Sequence, residues 1–124
     1  MAFDLLKAVR AAAPGATVQV PAGSYPLNLE LGKSITLIAA GEVELNGQKK
    51  GSCLRVLGPA TDVKLVGFRF VEGSAECGGG VFHPEGKLWL QGCRFERSSA
   101  PVYGGGGLYT AGERCVVVAC RFLG

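Results

Sequence analysis

A segment of eight residues that alternates apolar and polar side chains occurs three times in this chain. Its copies are residues 63–70, 88–95 and 115–122, which begin 25 and 27 residues apart. A strand-like segment that recurs at this interval is typical of a solenoid, in which each coil adds one strand to a stack. The sequence therefore predicts stacked parallel coils rather than a mixed globular fold.

The composition favours short strands joined by tight turns. Glycine accounts for 20 of the 124 residues and lies between apolar runs, as in the turn predicted at residues 21–24. Hydrophobic residues make up 48% of the chain, which suits one core. We expect a single domain over residues 1–124, with about five solenoid coils in residues 17–124.

The first residues have a different period. Residues 2–13 place apolar side chains at helical spacing, and Pro14 and Gly15 follow as a stop signal. A helix this short is marginal by itself and needs a surface to cover. We expect it to cap the first coil.

The phrase TVQVPAGSY at residues 17–25, followed by KSITLI at residues 33–38, resembles the opening of many right-handed parallel β-helices of the pectin-lyase-like superfamily. The resemblance implies an all-β fold, a right-handed single-stranded parallel β-helix with an N-terminal capping α-helix. Enzymes of that family would imply aspartate clusters that bind calcium or act as acid and base, with an Arg or Lys that abstracts a proton. This chain has only Asp4 and Asp62, so no catalytic motif can be transferred, and we expect no catalytic residue, metal or cofactor.

Aligning the repeats predicts which side chains stack inside the coils. The four predicted inward columns are Val63/Leu88/Cys115, Leu65/Leu90/Val117, Phe68/Cys93/Cys120 and Phe70/Phe95/Phe122. Burial of one phenyl ring contributes roughly 1.5–3 kcal/mol, more than a surface ion pair at about 0–1 kcal/mol. Core packing should therefore determine this fold.

One outward column holds the only tryptophan. It is predicted to run through Thr36, Lys64, Trp89 and Val116, beside a second column of Ile38, Val66, Gln91 and Val118. Trp89 could pack under the chain's own loops, form a subunit interface, or stack on a sugar ring. Lys64 and Trp89 are therefore candidate ligand or partner residues.

A third outward column is basic. It is predicted to contain Glu44, Arg69, Arg94 and Arg121, with one extra residue in the coil of Glu44. Stacked arginines repel one another unless anions or carboxylates lie between them. The column is either a solvated Arg/Glu ladder or a site for an anion or acidic sugar.

His83 and the five cysteines are weak catalytic candidates. His83 and Glu85 could share a strand face as an acid/base pair, but Pro84 disturbs that geometry, so we expect a turn residue with ordinary surface contacts. The cysteines are odd in number and include no CxxC pair, which favours reduced, buried thiols.

Charge and hydropathy exclude several partners. The formal charge is +3, from 13 basic and 10 acidic residues, and the basic residues are scattered, so we expect no nucleic-acid partner. No signal peptide or membrane-spanning run is evident, which predicts a cytoplasmic or already processed protein without membrane contact.

The last octet would leave an unpaired strand edge at the end of the phenylalanine column. Such edges are usually protected, so we expect either a homo-oligomer formed through Val116, Val118 and Phe122 or a position beneath a larger assembly. The favoured function is a non-catalytic structural, self-associating or partner-binding module. The alternative is a protein that binds or modifies acidic carbohydrates through Lys64, Trp89, Arg69, Arg94 and Arg121.

Overall fold

A computed structural model of the chain describes residues 4–74, 79–97 and 107–123. The elements are α1 (Leu5–Ala11), β1 (Thr17–Pro26), β2 (Leu29–Leu31), β3 (Ile35–Asn46), β4 (Leu54–Val56), β5 (Asp62–Val71), β6 (Val81–His83), β7 (Lys87–Gln91), β8 (Arg94–Glu96), β9 (Leu108–Thr110), β10 (Arg114–Val118) and β11 (Arg121–Leu123). All strand pairings are parallel, which confirms an all-β parallel solenoid with one short helix.

The strands form three walls around the core. The first wall contains β7, β10 and the first parts of β1, β3 and β5, and the second contains β8, β11 and the later parts of those three strands. The third wall is the separate sheet β2-β4-β6-β9. Gly67 (φ 81°), Gly92 (φ 62°) and Ala119 (φ 52°) stand between the first and second walls. This left-handed backbone conformation, which suits glycine, turns each coil from one wall to the next.

The solenoid has about three turns rather than the five expected. Full-length coils occupy residues 35–61, 62–86 and 87–113, although parts of the last two lie outside the described residues. The coil before them, residues 17–34, is short, and residues 114–123 supply only two walls. Five strands stack on the first wall, but the first and last of them belong to incomplete turns.

The predicted helix is shorter than residues 2–13. Its N-cap is Asp4, whose side chain accepts a hydrogen bond from the Lys7 N–H at 3.0 Å, and Ala12 is already extended. Leu5 and Val9 are buried in the core cluster, so the helix covers the first coil as expected. Phe3, part of the predicted apolar face, lies outside the described residues.

The strand registers confirm three of the four predicted inward columns. The fourth, Phe68/Cys93/Cys120, lies one residue before the paired segments of β8 and β11. Phe70 pairs with Phe95 and Phe95 with Phe122, and their ring centroids lie 4.9 and 4.4 Å apart. Gly80 and Gly107 make room for this stack. A Cβ on Gly80 would lie 2.8 Å from the Phe95 ring, and one on Gly107 would lie 2.8 Å from the Phe122 ring. Glycine at these positions therefore follows from packing.

Two local predictions were wrong. The predicted turn at residues 21–24 is part of β1, with an irregularity in pairing between Pro21 and Gly23. The coil of Glu44 contains three extra residues rather than one, because the step from Ile38 to Val43 faces the step from Val66 to Phe68. This bulge lies opposite the corner at Gly67, where the backbone already turns.

Candidate functional site

The predicted outward column on the first wall is confirmed. Lys64 pairs with Thr36 and with Trp89, and Trp89 pairs with Val116. Trp89 is half-buried, and its Nε1–H donates to Gln91 Oε1 at 3.2 Å. The indole is therefore held against the wall rather than projecting freely into solvent.

Trp89 lines a cleft of about 210 Å³, here named the outer cleft. Its lining residues are Asp62, Lys64, Lys87, Leu88, Trp89, Arg114 and Val116. Three cations face one carboxylate in this small volume, although the whole chain carries a formal charge of only +3. The outer cleft is therefore a concentrated positive site beside an aromatic ring.

Sequence reasoning missed two of its cations. Lys87 pairs in register with Asp62 and with Arg114, which forms another column directly upstream of the octets. Extending each octet by one residue would have found Asp62, Lys87 and Arg114 together. The sequence repeat therefore included these three positions, but they lay one residue outside the aligned octets.

The arginine column lies around the corner from Trp89, on the second wall. Glu44 pairs with Arg69, Arg69 with Arg94, and Arg94 with Arg121, as predicted. The structure thus separates two groups of candidate ligand residues, with Lys64 and Trp89 on one wall and the three arginines on another. A single compact ligand cannot contact all of them equally.

Carboxylates neutralise the first arginine of this column. The Arg69 guanidinium lies between Glu96, at 2.8 Å, and Glu44, at 3.9 Å, and Glu44 also accepts a hydrogen bond from Ser24 Oγ at 2.6 Å. The Arg69 hydrogen bond lowers the pKa of Glu96 and raises that of Arg69. Arg69 therefore belongs to an Arg/Glu ladder, one of the two readings of this column.

Arg94 and Arg121 continue the column without such pairing. Both are exposed, and neither has a carboxylate within 4.0 Å in the parts of the chain that the structure describes. A nearby ion pair instead joins Arg97 to Glu72 at 2.5 Å, with Lys49 on the same carboxylate at 3.7 Å. The free positive charge on the second wall lies at its last two levels.

His83 was wrongly expected to make surface contacts. It is fully buried at the end of β6, where Nε2 lies 2.9 Å from Gly86 O and Nδ1 2.8 Å from Thr110 Oγ1. A carbonyl only accepts, so Nε2 carries the proton and Nδ1 accepts from Thr110. Burial lowers the pKa of His83.

The proposed acid/base partner of His83 points elsewhere. Glu85 Oε2 accepts a hydrogen bond from the backbone N–H of Gly58 at 2.8 Å. His83 instead fills a tight corner, because a Cβ on Gly112 would lie 2.5 Å from its ring. The histidine holds two coils together and is not arranged as a general base.

The described cysteine side chains are more exposed in the last coil than in the coils before it. Cys53 and Cys93 are buried, Cys115 and Cys120 are half-buried, and all four are free. Burial raises the pKa of Cys53 and of Cys93 to about 11. Cys77 lies outside the described residues.

The last coil exposes most of its apolar side chains. Phe122 is 51% exposed although it stacks on Phe95, and its neighbours Val117, Val118 and Leu123 are 40–46% exposed. Each of β9, β10 and β11 pairs with one strand only among the described residues. We call the uncovered edges of these three strands the open end.

A further aromatic pair lies on the third wall. Phe82 and Tyr109 stack with ring centroids 5.4 Å apart, and the Arg55 guanidinium lies 5.8 Å from the Phe82 centroid. Both rings are half-buried. Their outward stacking explains the second repeat, in which Val81-Phe82 and Leu108-Tyr109 recur 27 residues apart.

The comparisons with known proteins give no relative. No protein-family model, curated protein or solved structure matches this chain. In the described residues, no helix has the length and apolar character needed to cross a membrane, and no group of His, Cys, Asp or Glu side chains is arranged to hold a metal ion. The fold and the two candidate regions are therefore the grounds for a functional proposal.

Proposed function

We propose that this protein is a non-catalytic β-solenoid module that associates with a second copy of itself through the open end. One observation carries the proposal. Among the described residues, every exposed large hydrophobic side chain except Leu6 belongs to β10 or β11. Apolar exposure concentrated on one surface is typical of interaction sites rather than of ordinary protein surface.

The backbone supports the same proposal. The outer edges of β9, β10 and β11 offer N–H and C=O groups that no strand pairs in the part of the chain described. Uncapped edges of this kind are templates for another strand, and natural proteins seldom leave them bare. A second copy would satisfy both the polar edge and the apolar core that it surrounds.

The test is the solution mass of the wild type and of Phe122→Glu, measured by light scattering over a wide concentration range. We expect an oligomer for the wild type and a monomer for the variant, because the new carboxylate would be buried against an apolar surface. Leu6→Glu is the matched control, since Leu6 is 38% exposed on α1 at the opposite end, and it should leave the mass unchanged. A wild type that stays monomeric up to millimolar concentration would contradict the proposal.

The outer cleft favours a second candidate function, the binding of an acidic carbohydrate. An indole and three cations in a cleft of about 210 Å³ combine a surface for sugar stacking with charge that attracts carboxylates. The three second-wall arginines lie too far around the coil to form the centre of such a site. Arg94 and Arg121 could contact only the remote end of an extended chain.

This candidate is tested by the fluorescence of Trp89 during titration with oligouronates. Since Trp89 is the only tryptophan, a saturable change reports on the outer cleft directly. Lys64→Ala should abolish the change, whereas Lys50→Ala, at an exposed lysine outside the cleft, should not. An unchanged spectrum, or a change that survives in Lys64→Ala, would reject carbohydrate binding at this cleft.

A further inference from the structure

The open end has the shape of a shallow spiral step. A coil of a parallel solenoid rises by one interstrand spacing, about 4.8 Å, in passing around its three walls. Among the described residues, the last strand on the third wall is β9, on the first wall β10 and on the second wall β11. Each successive strand therefore stands about one third of a spacing higher than the one before.

We propose that two copies associate with their β10 strands antiparallel, related by a two-fold axis that passes midway between the two copies of Val116, perpendicular to the first wall. This inference rests on the proposed self-association and adds its geometry. The operation places β11 of each copy over β9 of the other. Because β11 is raised and β9 is lowered by equal steps relative to β10, all three walls meet at the same spacing.

The other two-fold arrangements do not fit this step. An axis through the second wall would pair β11 with β11 but leave a gap of about two interstrand spacings on the remaining walls. An axis through the third wall would pair β9 with β9 and force β10 into β11. A head-to-tail stack is blocked because α1 covers the first coil with Leu5 and Val9.

The register follows from the side-chain alternation of β10. The strand contains five residues with Val116 at its centre, and a shift by one residue would turn inward side chains outward. In the centred register Val116 lies opposite its own symmetry copy. Cys115 lies opposite Val117, so inward residues meet inward residues.

Charge agrees with the antiparallel arrangement. Arg114 lies opposite Val118 of the second copy, so the two Arg114 side chains are about 13 Å apart at roughly 3.3 Å per residue. A parallel arrangement would instead add a further cation to the column of Lys87 and Arg114 at about 4.8 Å. Like charges directly opposite on neighbouring strands are destabilising.

The test uses charge substitution at the symmetry axis. Val116→Lys and Val116→Glu should each raise the dimer dissociation constant about fivefold or more, because each new charge faces its own copy. An equimolar mixture of the two variants should form a heterodimer close to wild-type affinity, measured by native mass spectrometry and light scattering. Recovery on mixing is expected only if residue 116 faces residue 116.

Val118 provides the matched control. Val118→Lys places a second cation beside Arg114 of the other copy and should weaken association more than Val118→Glu, which places a carboxylate there. Mixing the two Val118 variants should give an affinity between those of the two separate variants, without the recovery expected at residue 116. A wild type that associates, with Phe122→Glu monomeric but no recovery from the Val116 mixture, would overturn the geometry and leave the proposed function standing. A monomeric wild type would overturn both.

Discussion

The two ends of the solenoid are both built from parallel strands, but the apolar core is covered at the first end and exposed at the last. At the first coil, Leu5 and Val9 of α1 are 1% and 4% exposed and close the apolar interior. At the last coil, Val117 and Phe122 occupy inward positions yet are 42% and 51% exposed. A stack of identical coils cannot cover its own ends, so each end needs an element that the repeat does not supply.

Polar groups show the same contrast. At the capped end, Lys33 Nζ donates to the carbonyl oxygens of Arg10 and Ala12, which the end of the helix would otherwise leave without partners. At the open end, no strand pairs with the outer edge of β10 among the described residues. The capped end therefore has a side chain that binds the last carbonyl groups of its helix, in addition to the apolar contacts of Leu5 and Val9.

The largest effect should come from the phenylalanine stack. Phe95→Ala should lower the free energy of unfolding by about 3–5 kcal/mol, because Phe95 is 1% exposed between two other rings. Phe122→Ala should cost about 1–2 kcal/mol, since half of that ring already meets water. Urea denaturation at a dilution where light scattering shows monomer is the measurement. Equal losses would mean that the open end is already covered within a single chain.

Removing the apolar contact of the cap should have the next largest effect. Leu5→Ala should cost about 2–5 kcal/mol by opening a cavity between α1 and the first coil. Leu6→Ala on the same helix is the control and should stay within about 0.5 kcal/mol of wild type. Thermal and urea unfolding would give both values, and similar losses for the two variants would contradict a specific role for the burial of Leu5.

The polar part of the cap should contribute less. Asp4→Ala should cost about 1 kcal/mol, because it removes the acceptor for the Lys7 N–H and leaves the helix start without a cap. Glu113→Ala, at an exposed glutamate outside any helix, should change stability by about 0.5 kcal/mol or less. A loss that matches between the two variants would point to net charge instead of capping.

His83 allows the coils near the open end to be probed by pH. Its pKa is lowered from its ordinary value of 6.5 by burial, so the unfolded chain takes up a proton that the folded chain resists. The stabilisation is complete above pH 6.5 and is lost as pH falls from there through the lowered pKa of the folded state. Chemical denaturation across this window should show a slope in wild type that is absent in His83→Gln. Parallel curves for the two proteins would refute the assignment.

Much of the architecture could be predicted because the repeat fixes the register. Once the octets are aligned, Phe70, Phe95 and Phe122 must stack, and Lys64 must lie beside Trp89. The number of full turns was overestimated because a strand on one wall, such as β10, was taken to represent a whole coil. The number of strands on one wall exceeds the number of full coils here, because the first coil is short and the last is incomplete.

Other features depended on contacts that a one-dimensional repeat does not contain. The three extra residues near Gly41 are absorbed by a bulge, which the period alone cannot locate. The burial of His83 depends on the close approach of Gly86 in the same coil and of Gly112 in the next coil. The charge of the outer cleft depends on Lys87 and Arg114, which lie one residue outside the aligned octets.

The four described free thiols differ in burial, so their reaction with an alkylating reagent reports which coils have opened. With a pKa of about 11, Cys53 and Cys93 are almost entirely protonated at neutral pH and are shielded by neighbouring coils. Cys115 and Cys120 lie in the half-covered last coil. The order in which an alkylating reagent reaches these four sulfur atoms therefore records, coil by coil, the direction in which the stack unravels.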